Sequence, residues 1–264
     1  MIRSALKRSA TAFLCTLGIL MVFGLVIDQL EAITHTYLMS VFGWGAIIFT
    51  GLIGTPIHEI GHWLGCKLFG FKVVEVSLLR PLASTNDGIL GFVSYSYDRS
   101  NLWHQLGCFI TGIAPLLFGG VVILLVLRFL TPEVYQRISN RVESASKNSG
   151  IKKGLSVFWA AFSGFWIGLF SLRKWGILRG IICLYIVLSV SMHMSLSRQD
   201  LVGASTGFLV VLGIYLIYGL ISSALSTDYE KNCIRTASIL SSFLSIGLFF
   251  CLVMLAIAVL IVRL

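Results

Sequence analysis

Charge is scarce in this chain. Asp, Glu, Lys and Arg make up 12% of its 264 residues, while apolar residues make up 57%, and mean hydropathy is +0.92. Soluble domains carry about a quarter charged residues, so a soluble globular fold is excluded and an integral membrane protein is expected. Paired cysteines are lacking too. The six cysteines, at 15, 66, 108, 183, 233 and 251, are scattered and mostly lie in apolar runs, which argues against a disulfide framework or a thiolate zinc site. The sequence has no internal repeat, and it lacks the matched pair of Gly- or Pro-broken helices expected of a transporter built from two related halves. The 11 acidic residues are outnumbered by 20 Lys and Arg, giving a net charge of +9. No basic stripe is interleaved with aromatics. The excess therefore reads as flanks that orient membrane spans, and nucleic acid is not expected as a partner.

What remains is a series of apolar segments, each near the roughly 20 residues that a spanning helix needs. They cover residues 9–27, about 32–68, about 101–127, 154–172, 180–197, 201–227 and 236–262. An all-α polytopic membrane protein of about six to seven transmembrane helices is expected. It forms one integral domain over residues 1–264: an N-terminal helix 9–27, a core of about 32–227 and a C-terminal helix 236–262. Arg3, Lys7 and Arg8 precede the first segment as in a signal peptide, but no small-x-small cleavage site follows, so a retained helix is expected. Two stretches break the helical pattern. FKVVEVSLL (71–79) and ILGFVSYSY (89–97) are rich in β-branched and aromatic residues and flank the turn sequence Asn86-Asp87-Gly88. They predict a β-hairpin between the second and third helices. The polar, basic stretch 131–153 reads as an exposed loop, and the six tryptophans read as interface anchors and helix packing.

Nine of the 11 acidic residues fall in apparent loops, termini or the hairpin; Glu59 and Asp200 intrude on apolar segments. Ionisable groups at membrane depth are costly and mark functional sites. Glu59 belongs to His58-Glu59-Ile60-Gly61-His62, an HExxH. On a helix, positions i and i+4 share a face, so two imidazoles can grip one metal ion while the glutamate acts on a bound water. Catalytic zinc usually takes three protein ligands. His35 and His104 read as interfacial residues. His193 and Asp200 lie in SMHMSLSRQD, a polar break between two apolar runs. Asp200 is the favoured third ligand and His193 the alternative; the plain reading of Asp200 is a cap on the following helix.

These residues resemble the site-2 proteases, intramembrane zinc metalloproteases, and especially their small bacterial members. The likeness spans about 53–207: HEIGH on a membrane helix, then the hairpin, then GIAPLLFGG (112–120), then RQDLVGA after the polar break. It implies Zn²⁺ held by His58, His62 and Asp200, with Glu59 as catalytic base. It also implies a multi-pass protein of the bacterial cytoplasmic membrane. The chain departs from the longer members in two places: Asp200 lacks their surrounding prolines, and Phe118 stands where they carry Asn. The expected activity is hydrolysis of a membrane-embedded or membrane-proximal peptide, with the hairpin capturing the unwound substrate by strand addition. The partners are that substrate and the lipid bilayer. The alternative is a non-proteolytic zinc-binding membrane protein with a chaperone, immunity or sensor role.

Overall fold

The computed structural model describes residues 2–146, 177–225 and 229–263, with positions 156, 159–160, 162–164 and 167 between them. Helix α1 runs over Ile2–Phe42, interrupted by one π-helical turn at Leu14–Gly18. The expected break between residues 27 and 32 is not there, because Asp28 and Glu31 sit within the helix. The stop comes at Gly43, whose φ of 63° puts it in a conformation that side chains disfavour and glycine does not. Helix α2, Trp44–Phe69, follows at once and ends at Gly70 with φ 73°. There Phe71 N–H bonds the Cys66 carbonyl at 2.9 Å, the left-handed closure that satisfies the last turn.

The hairpin forms as the sequence predicts. Strand β1, Lys72–Ser77, pairs antiparallel with β2, Phe92–Ser96, with an irregularity between Val73 and Glu75. The connection contains a short helix α3, Ser84–Asp87, closed by Gly88 at φ 74°. Its tip is tied by Arg80 to Asp87 at 2.8 Å and by Ile89 N–H to the same carboxylate at 2.9 Å. The Ile89 amide first, and then Arg80, hold the Asp87 carboxyl below its usual range.

Helix α4, Leu102–Leu130, is capped by Asn101, whose side chain accepts from Trp103 N–H. Residues 132–146 then overturn part of the expected loop, since Pro132–Ser146 is helix α5. Proline suits a first helical turn, and Val134 and Ile138, one turn apart, bury against the core. That apolar spacing outweighs the polar average of the stretch. The expected segment 154–172 lies mostly outside the described residues. Helices α6 (Ile177–Met192), α7 (Arg198–Ala224) and α8 (Tyr229–Arg263) complete the chain.

Four helices among the described residues are long and apolar enough to cross a membrane: α1, α4, α7 and the Leu244–Arg263 part of α8. The expectation was six to seven. Helix α2 has 26 residues, but its histidines, glutamate and proline dilute its apolar character. In α6, the apolar stretch Leu178–Met192 is short. Helices α2 and α4 approach closely through small residues, as helices in lipid do. A Cβ on Gly61 would lie 2.9 Å from Pro115 Cα, and one on Gly65 would lie 3.0 Å from Thr111 Cα. The chain between α6 and α7 is drawn into the core, where Met194 and Leu196 are fully buried beside Met192 at the end of α6.

Candidate metal centre

His58 and His62 occupy one face of α2, and their Nε2 atoms lie 3.0 Å apart. Each ring is oriented by a backbone carbonyl that its own helix leaves free. His62 Nδ1 donates to the Thr111 carbonyl at 2.9 Å. Thr111 lies four residues before Pro115, which has no N–H to complete the helical bond. His58 Nδ1 donates to the His193 carbonyl at 2.7 Å, just beyond the end of α6 at Met192. A carbonyl only accepts, so both Nδ1 atoms carry a proton, and both Nε2 atoms face inward.

Asp200 meets them from the first turn of α7. Its Oδ1 is 2.9 Å from His62 Nε2 and its Oδ2 is 3.8 Å from His58 Nε2. The same carboxylate accepts from Ser197 N–H at 2.9 Å, while Asp200 N–H bonds the Ser197 hydroxyl at 3.2 Å, a capping box. Asp200 is thus both the helix cap and a member of the cluster. Helices α4 and α7 come together beside it, where a Cβ on Gly112 would lie 2.7 Å from the Asp200 carbonyl.

The donor set fits a divalent cation. Two Nε2 atoms 3.0 Å apart, with an anionic carboxylate 2.9 Å from one of them, call for positive charge between them, which a proton or a metal ion supplies. The ligand atoms of His58, His62 and Asp200 all lie within 4.8 Å of one another. Nδ1 bonds to fixed carbonyls are the supporting contacts that metal-bound imidazoles use. The set of two imidazoles and one carboxylate suits zinc.

Glu59 is 7% exposed. The hairpin closes over it: a Cβ on Gly91 would lie 2.9 Å from Glu59 Cγ and 2.9 Å from the Leu78 carbonyl. Glu59 and the three candidate ligands line a cavity of about 540 Å³. Of the hairpin, β2 (Phe92, Val93 and Tyr95) and the segment before it line this cavity, whereas no residue of β1 does.

The structure therefore brings together His58, Glu59, His62 and Asp200. His193 contributes its carbonyl to this cluster but turns its ring to Glu31, with Nδ1 3.5 Å from Glu31 Oε1. His35 stands on the same side, its ring centroid 5.4 Å from that of His193. His104 supports the end of the hairpin, accepting from Asp98 N–H at 3.0 Å. Sequence reasoning missed Glu31, assigning it to a loop, although its i, i+4 spacing to His35 was legible. It also missed the Thr111 carbonyl, for which Pro115 four residues on was the signal. In comparisons with known proteins, no family model, curated protein or solved structure matches the chain.

Proposed function

We propose that this chain is an intramembrane zinc endopeptidase of the site-2 protease type, acting on a membrane-embedded or membrane-proximal peptide in a bacterial cytoplasmic membrane. The observation that carries this reading is the convergence of His58, His62 and Asp200, drawn from two helices, on one point beside buried Glu59. His58, His62 and Asp200 would hold the ion. When bound there, zinc would supply an acidified water and polarisation of the scissile carbonyl.

The chain's own groups supply the rest. Glu59 takes a proton from the attacking water and delivers it to the leaving amine. The Thr111 and His193 carbonyls keep both imidazoles in one tautomer, so that neither ring turns its N–H toward the reacting atoms. Ser197 holds Asp200 through the helix cap. A helical substrate hides its peptide bonds and must be unwound, and an extended peptide can pair with an exposed strand edge. Of the two strands, β2 borders the cavity, so the substrate strand is assigned to β2 and not to β1.

The test compares zinc-loaded wild type with Glu59→Gln on a library of internally quenched apolar peptides in detergent. Wild type is expected to cleave, and the variant to lose about 10²–10⁴-fold in rate with zinc content unchanged. Equal background hydrolysis by both, at full zinc loading, would overturn the peptidase reading in favour of a zinc-binding membrane protein.

A further inference from the structure

A second cluster of metal-binding groups lies in the wall of the same cavity. Glu31 and His35 are one turn apart on α1, with His35 Nδ1 3.9 Å from Glu31 Oε1. His193 reaches them from the break after α6, its Nδ1 3.5 Å from the same oxygen. The three ligand atoms lie within 4.8 Å of one another, and none of these residues belongs to the cluster of His58, His62 and Asp200.

The hydrogen bonding of this cluster is incomplete. Glu31 Oε2, His35 Nε2 and His193 Nε2 are buried without a hydrogen-bond partner among the described residues. His193 as a whole is 8% exposed. Buried polar groups are normally paired, because an unpaired one has lost its water without gaining a partner. Both rings face the same Glu31 carboxylate in a cavity wall through Nδ1 while their Nε2 atoms stay unpaired, so hydrogen bonding alone does not account for the cluster, and a bound cation would supply the positive charge that draws the carboxylate and the two imidazoles together. The tight packing around His193 leaves its ring little freedom to find another partner: a Cβ on Gly54 would lie 2.9 Å from His193 Cβ, and one on Gly51 would lie 3.3 Å from His193 Cε1.

We propose that Glu31, His35 and His193 form a second divalent-metal site, distinct from the His58–His62–Asp200 cluster. Two imidazoles and one carboxylate favour zinc or a similar borderline cation over magnesium or calcium, which prefer all-oxygen sites. The second site joins α1 to the chain break after α6. Because the His193 carbonyl also orients His58, its occupant would hold that carbonyl in position.

The experiment is metal stoichiometry on the full chain in detergent, stripped with chelator and reloaded with Zn²⁺ or with Co²⁺ for its absorption spectrum. Wild type is expected to bind two ions per chain. Glu31→Gln and, as a second variant in case the first folds poorly, His35→Gln are each expected to bind one. The double variant His58→Ala/His62→Ala is expected to retain one, with a cobalt spectrum that disappears when Glu31→Gln is added. One ion in wild type and in Glu31→Gln, with none in the double variant, overturns the second site and leaves the first intact. One ion in wild type that survives in the double variant but is lost in Glu31→Gln supports the second site and removes the basis of the peptidase reading.

Discussion

Replacing Pro115 by alanine restores a backbone N–H four residues after Thr111, and that N–H competes with His62 Nδ1 for the Thr111 carbonyl. Two opposed effects follow. In a helix interior, proline is about 3 kcal/mol less favourable than alanine. Against this, Pro115 is buried on Gly61, and losing two ring methylenes at about 0.8 kcal/mol each recovers roughly half of that gain. The metal-free variant should therefore be more stable by about 1 kcal/mol. Its zinc affinity should fall, since loss of a supporting bond to a metal-bound imidazole typically costs 10–100-fold. A carbonyl has two lone pairs and can serve both donors, which puts the expected loss near the lower end, about tenfold or 1.4 kcal/mol. The assay is chelator competition for zinc alongside thermal unfolding of the metal-free protein. Zinc affinity unchanged or tightened in a stabilised Pro115→Ala would refute the claim that the freed carbonyl orients His62.

Three further outcomes follow from the same contacts. Gly61→Ala places a methyl group 2.9 Å from Pro115 backbone; such overpacking costs about 1–3 kcal/mol, read as a lower unfolding midpoint together with weaker zinc binding. Asp200→Asn and Ser197→Ala should separate the two roles of Asp200. The first keeps a side chain able to cap and loses zinc affinity; the second loses about 1 kcal/mol of helix capping and keeps most zinc. Gly91→Ala would crowd Glu59 Cγ and the Leu78 carbonyl at 2.9 Å. It should lift the hairpin from α2 and lower peptide cleavage while zinc content is maintained, so an unchanged cleavage rate would count against the covering role of the hairpin.

The helical membrane character and the hairpin were legible in the chain because they rest on local patterns: scarce charge, apolar run length, β-branched alternation and a turn tripeptide. The HExxH pair was equally legible, since residues four apart on a helix share a face whatever surrounds them. Helix ends were less so. Asp28 and Glu31 were read as a break because charge in an apolar run suggests an interface, whereas the buried pocket around His193 accommodates Glu31 within a continuous helix. Likewise the buried face of Val134 and Ile138 made a helix of residues whose average composition suggested a loop.

Local spacing was enough to pair His58 with His62, but not to bring Glu31 and His35 into view or to group the remaining candidates. Asp200 and His193 are seven residues apart in one polar break, and nothing in their spacing assigns them to different clusters. The tertiary structure separates them, because α7 begins at the Ser197 cap and points Asp200 toward His62, while His193 precedes that turn, packs on α2 at Gly51 and Gly54 and turns its ring to Glu31 of α1. The same holds for the carbonyls that hold the two imidazoles. Pro115 frees one and the end of α6 frees the other, yet only the close crossing of α2 with α4 and α6 brings them within hydrogen-bonding distance of His62 and His58. Ligand chemistry is a property of side chains, whereas a site is a property of the distances between helices, and those are set by long-range packing.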